Sequence, residues 1–119
     1  MQNVVLDTNA LLMPFEFRIN LDLELQRLLG ACLIHVPGCV IGELRRSRNK
    51  HAQVALSLAR KYPVAETETQ GDAGVIEVAR RLQAFVVTND ALLRSKLRKL
   101  GIKTIYLRSG NHLMVDGDY

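Results

Sequence analysis

Apolar positions along the chain follow two alternating periods. Residues 3–6 (NVVL) are apolar and largely β-branched and stop at a polar triplet, the pattern of a short buried strand. Residues 21–29 (LDLELQRLL) place apolar side chains at 21, 23, 25, 28 and 29, close to helical spacing, and Gly30 follows as a stop. Residues 33–37 (LIHVP) read as a second strand. From Gly38 the text turns helical (CVIGELRRSR), breaks around Asn49 and resumes as HAQVALSLARKY, which Pro63 ends. Residues 64–66 (VAE) are a candidate third strand. Residues 71–82 (GDAGVIEVARRL) put Val75, Ile76, Ala79 and Leu82 on one face of an amphipathic helix. Residues 84–88 (AFVVT) read as a strand, 90–101 (DALLRSKLRKLG) as a helix ending at Gly101, and 103–107 (KTIYL) as a last strand. The polar tail 109–119 (SGNHLMVDGDY) has room for a short hairpin or edge segment. Residues 8–20, Pro14 among them, receive no element.

Strands alternate with helices, which predicts an α/β fold: a mainly parallel five-stranded sheet between two helical layers, joined by right-handed crossovers. The 119 residues suit a single domain spanning 1–119, and no linker or repeat interrupts them. No apolar run approaches the roughly 20 residues of a membrane span. The start, MQNVVLDTN, lacks the basic and apolar regions of a signal peptide, so a cytoplasmic protein is expected. Cys32 and Cys39 fit no zinc spacing and are expected reduced and buried. His35 reads as a satisfied core residue, and His51 and His112 show no ligand spacing. No G-x-G-x-x-G or Walker loop is present, which disfavours nucleotide cofactors.

The acids change the picture. In an open parallel sheet, functional groups gather beyond the carboxyl ends of the strands, where strand order reverses. Asp7 directly follows the first strand, and Asp90 comes two residues after the strand that ends at Thr88. Glu43 lies about one turn into the helix after the second strand, and Asp72 opens the helix that leads to the fourth. If the first and fourth strands flank the reversal, all four carboxylates can face one crevice. Such a cluster repels itself unless a cation is present, and oxygen-only ligands suit Mg²⁺ or Mn²⁺ rather than Zn²⁺. Such an ion can hold a phosphodiester and acidify a bound water. Against this stands plain helix capping, for which Asp, Thr and Asn are the usual residues. Capping accounts for Asp90 or Asp72 singly. It accounts less well for Asp7, because a carboxylate at the tip of a buried strand is costly unless paired or ligated.

The motifs V-L-D-T-N near the start, an acid in the helix after the second strand, an acid opening a later helix, and T-N-D after the fourth strand resemble the PIN-domain nucleases over nearly the whole chain. The opening stretch looks most like small archaeal single-domain members, similar to VapC-type toxins and to the PIN nucleases of rRNA processing. The resemblance implies a sheet order of 3-2-1-4-5, which supplies the assumed reversal. It implies metal-binding catalytic acids at Asp7, Glu43, Asp72 and Asp90, a supporting polar residue at Asn9, and another at Thr88 or Asn89. It also implies Mg²⁺- or Mn²⁺-dependent cleavage of RNA, a homodimer, and an antitoxin or a ribosome-assembly factor as partner. One departure stands out: many relatives carry paired acids where this chain has Gly71-Asp72, and Glu77 lies too far along the helix to replace the missing one.

The net charge of +4 suits a nucleic-acid partner. Residues 45–50 (RRSRNK) form a basic run in which Arg45, Arg46, Arg48 and Lys50 are candidate phosphate contacts. The second run, residues 94–99 (RSKLRK), reads as a solvated helix face. With no Trp and few other aromatics, no base-stacking platform is evident. Two alternatives to a nuclease are a receiver-like signalling domain and a non-catalytic RNA-binding module on the same fold. The first would need an acidic pair after the first strand and a Lys after the fifth. Here only Asp7 follows the first strand, and the fifth ends in Leu107-Arg108.

Overall fold

The computed structural model describes residues 1–117, and the expected tail extends two residues beyond them, to Asp118 and Tyr119. Strand β1 (Gln2–Leu6) lies in the middle of the sheet, and Val4, Val5 and Leu6 are fully buried. Strand β2 (Cys32–Pro37) pairs parallel to it on one side, and β3 (Val64–Ala65) continues from β2. Strand β4 (Phe85–Val87) pairs parallel on the other side, followed by β5 (Thr104–Arg108). A sixth strand, β6 (His112–Val115), turns back antiparallel on β5, giving the order β3-β2-β1-β4-β5-β6. The expected five-stranded order is present within it. The tail hairpin adds the extra strand, so the sheet is six-stranded.

The hairpin turn explains that addition. Ser109 and Gly110 both take positive φ, which reverses the chain and lets Leu113 re-enter the core at 0% exposure. An edge strand exposes unpaired backbone groups. Here helix α2 (Leu21–Leu29) covers them: Leu113 N–H donates to Glu24 Oε1 at 2.8 Å, and its carbonyl accepts from Arg27 at 2.7 Å.

Helix α1 (Thr8–Phe17) occupies residues to which the sequence pattern assigns no element, and it runs through Pro14. A proline inside a helix removes a hydrogen bond and costs about 3 kcal/mol. Full burial of Ala10 and Leu11, near-full burial of Met13 and the Asp7 cap offset that cost. The remaining helices are α3 (Gly38–Arg46), α4 (Ala52–Ala59), α5 (Gly71–Leu82) and α6 (Ala91–Lys99). Helix α5 packs closely on α3: a Cβ on Gly74 would overlap the Cys39 sulfur and lie 2.8 Å from the Thr69 carbonyl. This contact fixes how far Asp72 on α5 stands from Glu43 on α3. Cys39 is buried as expected, whereas Cys32 is only partly so; both are free thiols. His35 is satisfied by Asn3 at 3.1 Å but is half-buried. Among the described residues no helix is long and apolar enough to cross a membrane.

Candidate functional site

Strands β1 and β4 are neighbours with Leu6 opposite Val87, so Asp7 and Thr88 leave the sheet side by side. On one side of this pair the chain order descends through β2 and β3, and on the other it ascends through β5. This is the order reversal at which α/β sheets place their sites. It also differs from the 2-1-3-4-5 order of receiver-like folds, which removes that alternative. A cavity of about 260 Å³ opens there. Asp7, Glu43, Asp72 and Asp90 all line it, with Thr8, Asn9, Leu12, Gly71 and Val75. Four acids from four separate segments thus meet in one place.

Asp7 is the buried member, only 6% exposed. Its Oδ1 accepts from the Ala10 amide at 2.7 Å and so caps α1. Burial pushes its carboxyl from 3.8 up to about 7. Hydrogen bonds from Thr88 and Ala10 pull the other way, while Asp90 and Asp72 add to the rise. Among the described residues no cation pairs with it. A buried acid with this partner set favours a cation or a proton.

The polar residues flanking the acids hold the frame. The fully buried Thr88 hydroxyl accepts from the Asp90 amide at 3.0 Å and donates to Asp7, linking the two acids. Asn9 Oδ1 accepts from the Asn89 amide at 3.0 Å, and Asn89 Oδ1 accepts from the Leu107 amide at 2.7 Å. These bonds tie the start of α1 to the β4–α6 turn and to β5. Asp90 caps α6 through Oδ1 on the Leu93 amide at 3.0 Å.

Glu43 is held by a residue that the sequence pattern does not single out. Thr8 Oγ1 donates to Glu43 Oε2 at 2.8 Å, so the middle residue of D-T-N orients the acid of another helix. Asp72 does not cap α5, whose first position has no side-chain cap. Instead Asp72 Oδ2 lies 3.4 Å from Lys96 Nζ. Gly71 adopts φ +60°, a backbone that L side chains rarely take, so a glycine suits this position at the start of α5. Glu77 stays out of the cavity. It accepts from the Glu68 and Thr69 amides and the Thr69 hydroxyl, fastening the loop before α5.

Arg45, Arg46, Arg48 and Lys50 are exposed at the end of α3 and in the loop beyond it, and none lines the cavity. A larger cavity, about 410 Å³, lies at the amino end of the sheet between Gln2, Phe85 and Lys103. It contains no acid. Of its cations, Arg80 lies in the last turn of α5, which it compensates electrostatically, and Lys103 lies over the Phe85 ring.

The cavity offers only oxygen donors from its acids, as a hard divalent ion requires. The acids do not yet form a cage: among the described residues no three acid, histidine or cysteine side chains are grouped to hold an ion. Ala10, Thr8, Lys96 and Leu93 each hold one of the four carboxylates. The residues fit such an ion in donor type, and all four acids line the one cavity, but their side chains would have to draw together to hold it.

Residues 4–110 match the model of a PIN-like domain. The chain belongs to the PIN-like domain family. Ribonuclease VapC9 of Archaeoglobus fulgidus is 34% identical to this PIN-like chain over 73 residues, covering 61% of the chain and 54% of the relative. The chain thus spans about half the length of that protein. The PIN domain endonuclease Utp24 superposes with a TM-score of 0.83 at 23% identity, over 96% of this chain and 90% of that one. A domain of a functionally unknown protein from Methanocaldococcus jannaschii superposes with a TM-score of 0.68 at 18% identity, over 92% and 93%. At these identities the two structures speak for the fold.

Proposed function

We propose that this PIN-like chain is a divalent-ion-dependent endoribonuclease that hydrolyses phosphodiester bonds. The observation that carries the reading is the meeting of four carboxylates in one cavity at the strand-order reversal. Membership of the family and the likeness to a ribonuclease support it. Asp7, Asp72 and Asp90 hold Mg²⁺ or Mn²⁺. Glu43, oriented by Thr8, completes the site or aligns the attacking water. When bound, the ion supplies charge for the phosphate and a water that ionises near neutral pH. Thr88, Asn9 and Asn89 keep the acid-bearing segments in register. The exposed basic run at residues 45–50 supplies sequence-independent attraction for the RNA backbone.

The test is cleavage of end-labelled single-stranded RNA by the purified chain in Mg²⁺ or Mn²⁺. The wild type cuts and the Asp7→Asn protein does not, while both give the same circular-dichroism spectrum. Wild-type cleavage that persists in EDTA, or in Asp7→Asn, overturns the assignment. Because water is the nucleophile, the products lack a 2′,3′-cyclic phosphate.

One observation favours a second reading. Asp7 and Asp90 both cap helices, as they would in a non-catalytic RNA-binding module. That module would bind RNA without taking up ions. Toxin-type and RNA-processing roles share the same chemistry, and an antitoxin reading frame beside the gene separates them.

A further inference from the structure

We propose that Lys96 is a phosphate-binding residue of this site, held on Asp72 until a divalent ion displaces it and frees it for the RNA backbone. The inference rests on the nuclease reading and adds a residue that couples ion uptake to substrate binding.

Lys96 stands on α6, six residues beyond the Asp90 cap, and its ammonium lies 3.4 Å from Asp72 Oδ2 on α5. Asp72 lines the cavity and Lys96 does not, so the bridge crosses the cavity rim. Among the described residues Lys96 is the one cation ion-paired with any of the four acids. The two side chains are 58% and 41% exposed. An ion pair this open strengthens a binding equilibrium by only about two- to fivefold, so it yields to a divalent ion drawn to the same carboxylate.

The balance of charge sets where the ammonium goes. In the ion-free cavity it offsets part of the repulsion among the acids. Once an ion takes over that task, the ammonium loses its partner and is repelled by the ion. Lysine is a compact charge on a flexible four-carbon stem, suited to moving from a carboxylate to a phosphate. The same helix face is open for a strand to approach: Leu92, one turn back from Lys96, is 75% exposed.

The test compares wild type with Lys96→Met and Lys99→Met. Lys99 is an exposed residue of the same helix with no ion pair among the described residues. Mn²⁺ binding is read by electron paramagnetic resonance without RNA. Affinity for a cleavage-resistant phosphorothioate RNA is read with and without Mn²⁺. Lys96→Met is expected to bind Mn²⁺ about two- to fivefold more tightly than Lys99→Met. It should also lose most of the gain in RNA affinity that Mn²⁺ brings to wild type and to Lys99→Met. Equal shifts in the two variants would reduce the effect to overall charge and overturn the proposal, as would unchanged Mn²⁺ affinity in Lys96→Met. Wild-type protein that takes up no Mn²⁺ would overturn the nuclease reading, and this proposal with it. Wild type that takes up Mn²⁺ and cuts RNA, alongside a Lys96→Met protein matching Lys99→Met, would overturn this proposal alone.

Discussion

Replacing Asp7 with Asn should stabilise the ion-free protein at alkaline pH while destroying its site. The folded chain raises the Asp7 carboxyl from 3.8 to about 7, chiefly through burial. It therefore prefers Asp7 neutral. Stability from that preference is complete below about pH 3.8 and is lost as pH climbs through about 7. The span is about three units, or about 4 kcal/mol at most. Part of that is gone by about pH 5, which leaves about 2–3 kcal/mol to be lost between there and about pH 8. Asn keeps the oxygen that accepts from the Ala10 amide, so the α1 cap survives without the charge. Urea denaturation in EDTA at the two pH values measures the effect. Asp116, Glu24 and Glu77, whose carboxyls sit below their ordinary values, titrate alike in both proteins and cancel in the difference. The advantage of Asp7→Asn should grow by about 2–3 kcal/mol from the lower to the higher pH. Saturating Mg²⁺ should then restore the wild type alone. A difference that stays flat with pH would refute the reasoning, because Asp7 would then not be a strained, uncompensated charge.

Thr8→Val should leave the fold intact but release Glu43, weakening Mn²⁺ binding by about 10–100-fold, as loss of a ligand's supporting partner does; unchanged affinity by calorimetry would remove Thr8 from the site. Gly74→Ala forces a methyl against Cys39 and the Thr69 carbonyl, so a loss of about 1–3 kcal/mol in urea unfolding is expected, and a neutral result would mean that α3 and α5 can separate. Converting Arg45, Arg46, Arg48 and Lys50 to Gln should lower the salt dependence of RNA binding by about 0.7 per lost phosphate contact; a slope equal to wild type would place the RNA on another face.

The strands and the amphipathic α5 were legible because burial imposes a period on their residues. Asp7 and Asp90 were legible as a pair because both closely follow the ends of neighbouring central strands. Other parts depended on contacts distant in sequence. Pro14 signals a break, yet α1 continues because its apolar face is buried. Strand β6 lies in a polar tail and forms because β5 and the side chains of α2 satisfy its backbone. Thr8 carried no role of its own in the sequence, but its hydroxyl serves a helix 35 positions away. Lys96 looked like one charge of a solvated face until α5 and α6 brought it to Asp72. Capping and a place at the cavity do not exclude each other, since Asp7 and Asp90 cap their helices and also line the shared cavity.

The proposed function requires these four acids to form one ion site. Titrating Mn²⁺ into isotopically labelled protein and mapping the amide signals that broaden tests it most directly. Broadening is expected to start at Asp7, Thr8, Asn9, Glu43, Gly71, Asp72 and Asp90, to spare the amino-end cavity around Arg80 and Lys103, and to disappear in Asp7→Asn. Broadening centred elsewhere, or none at all, would contradict it.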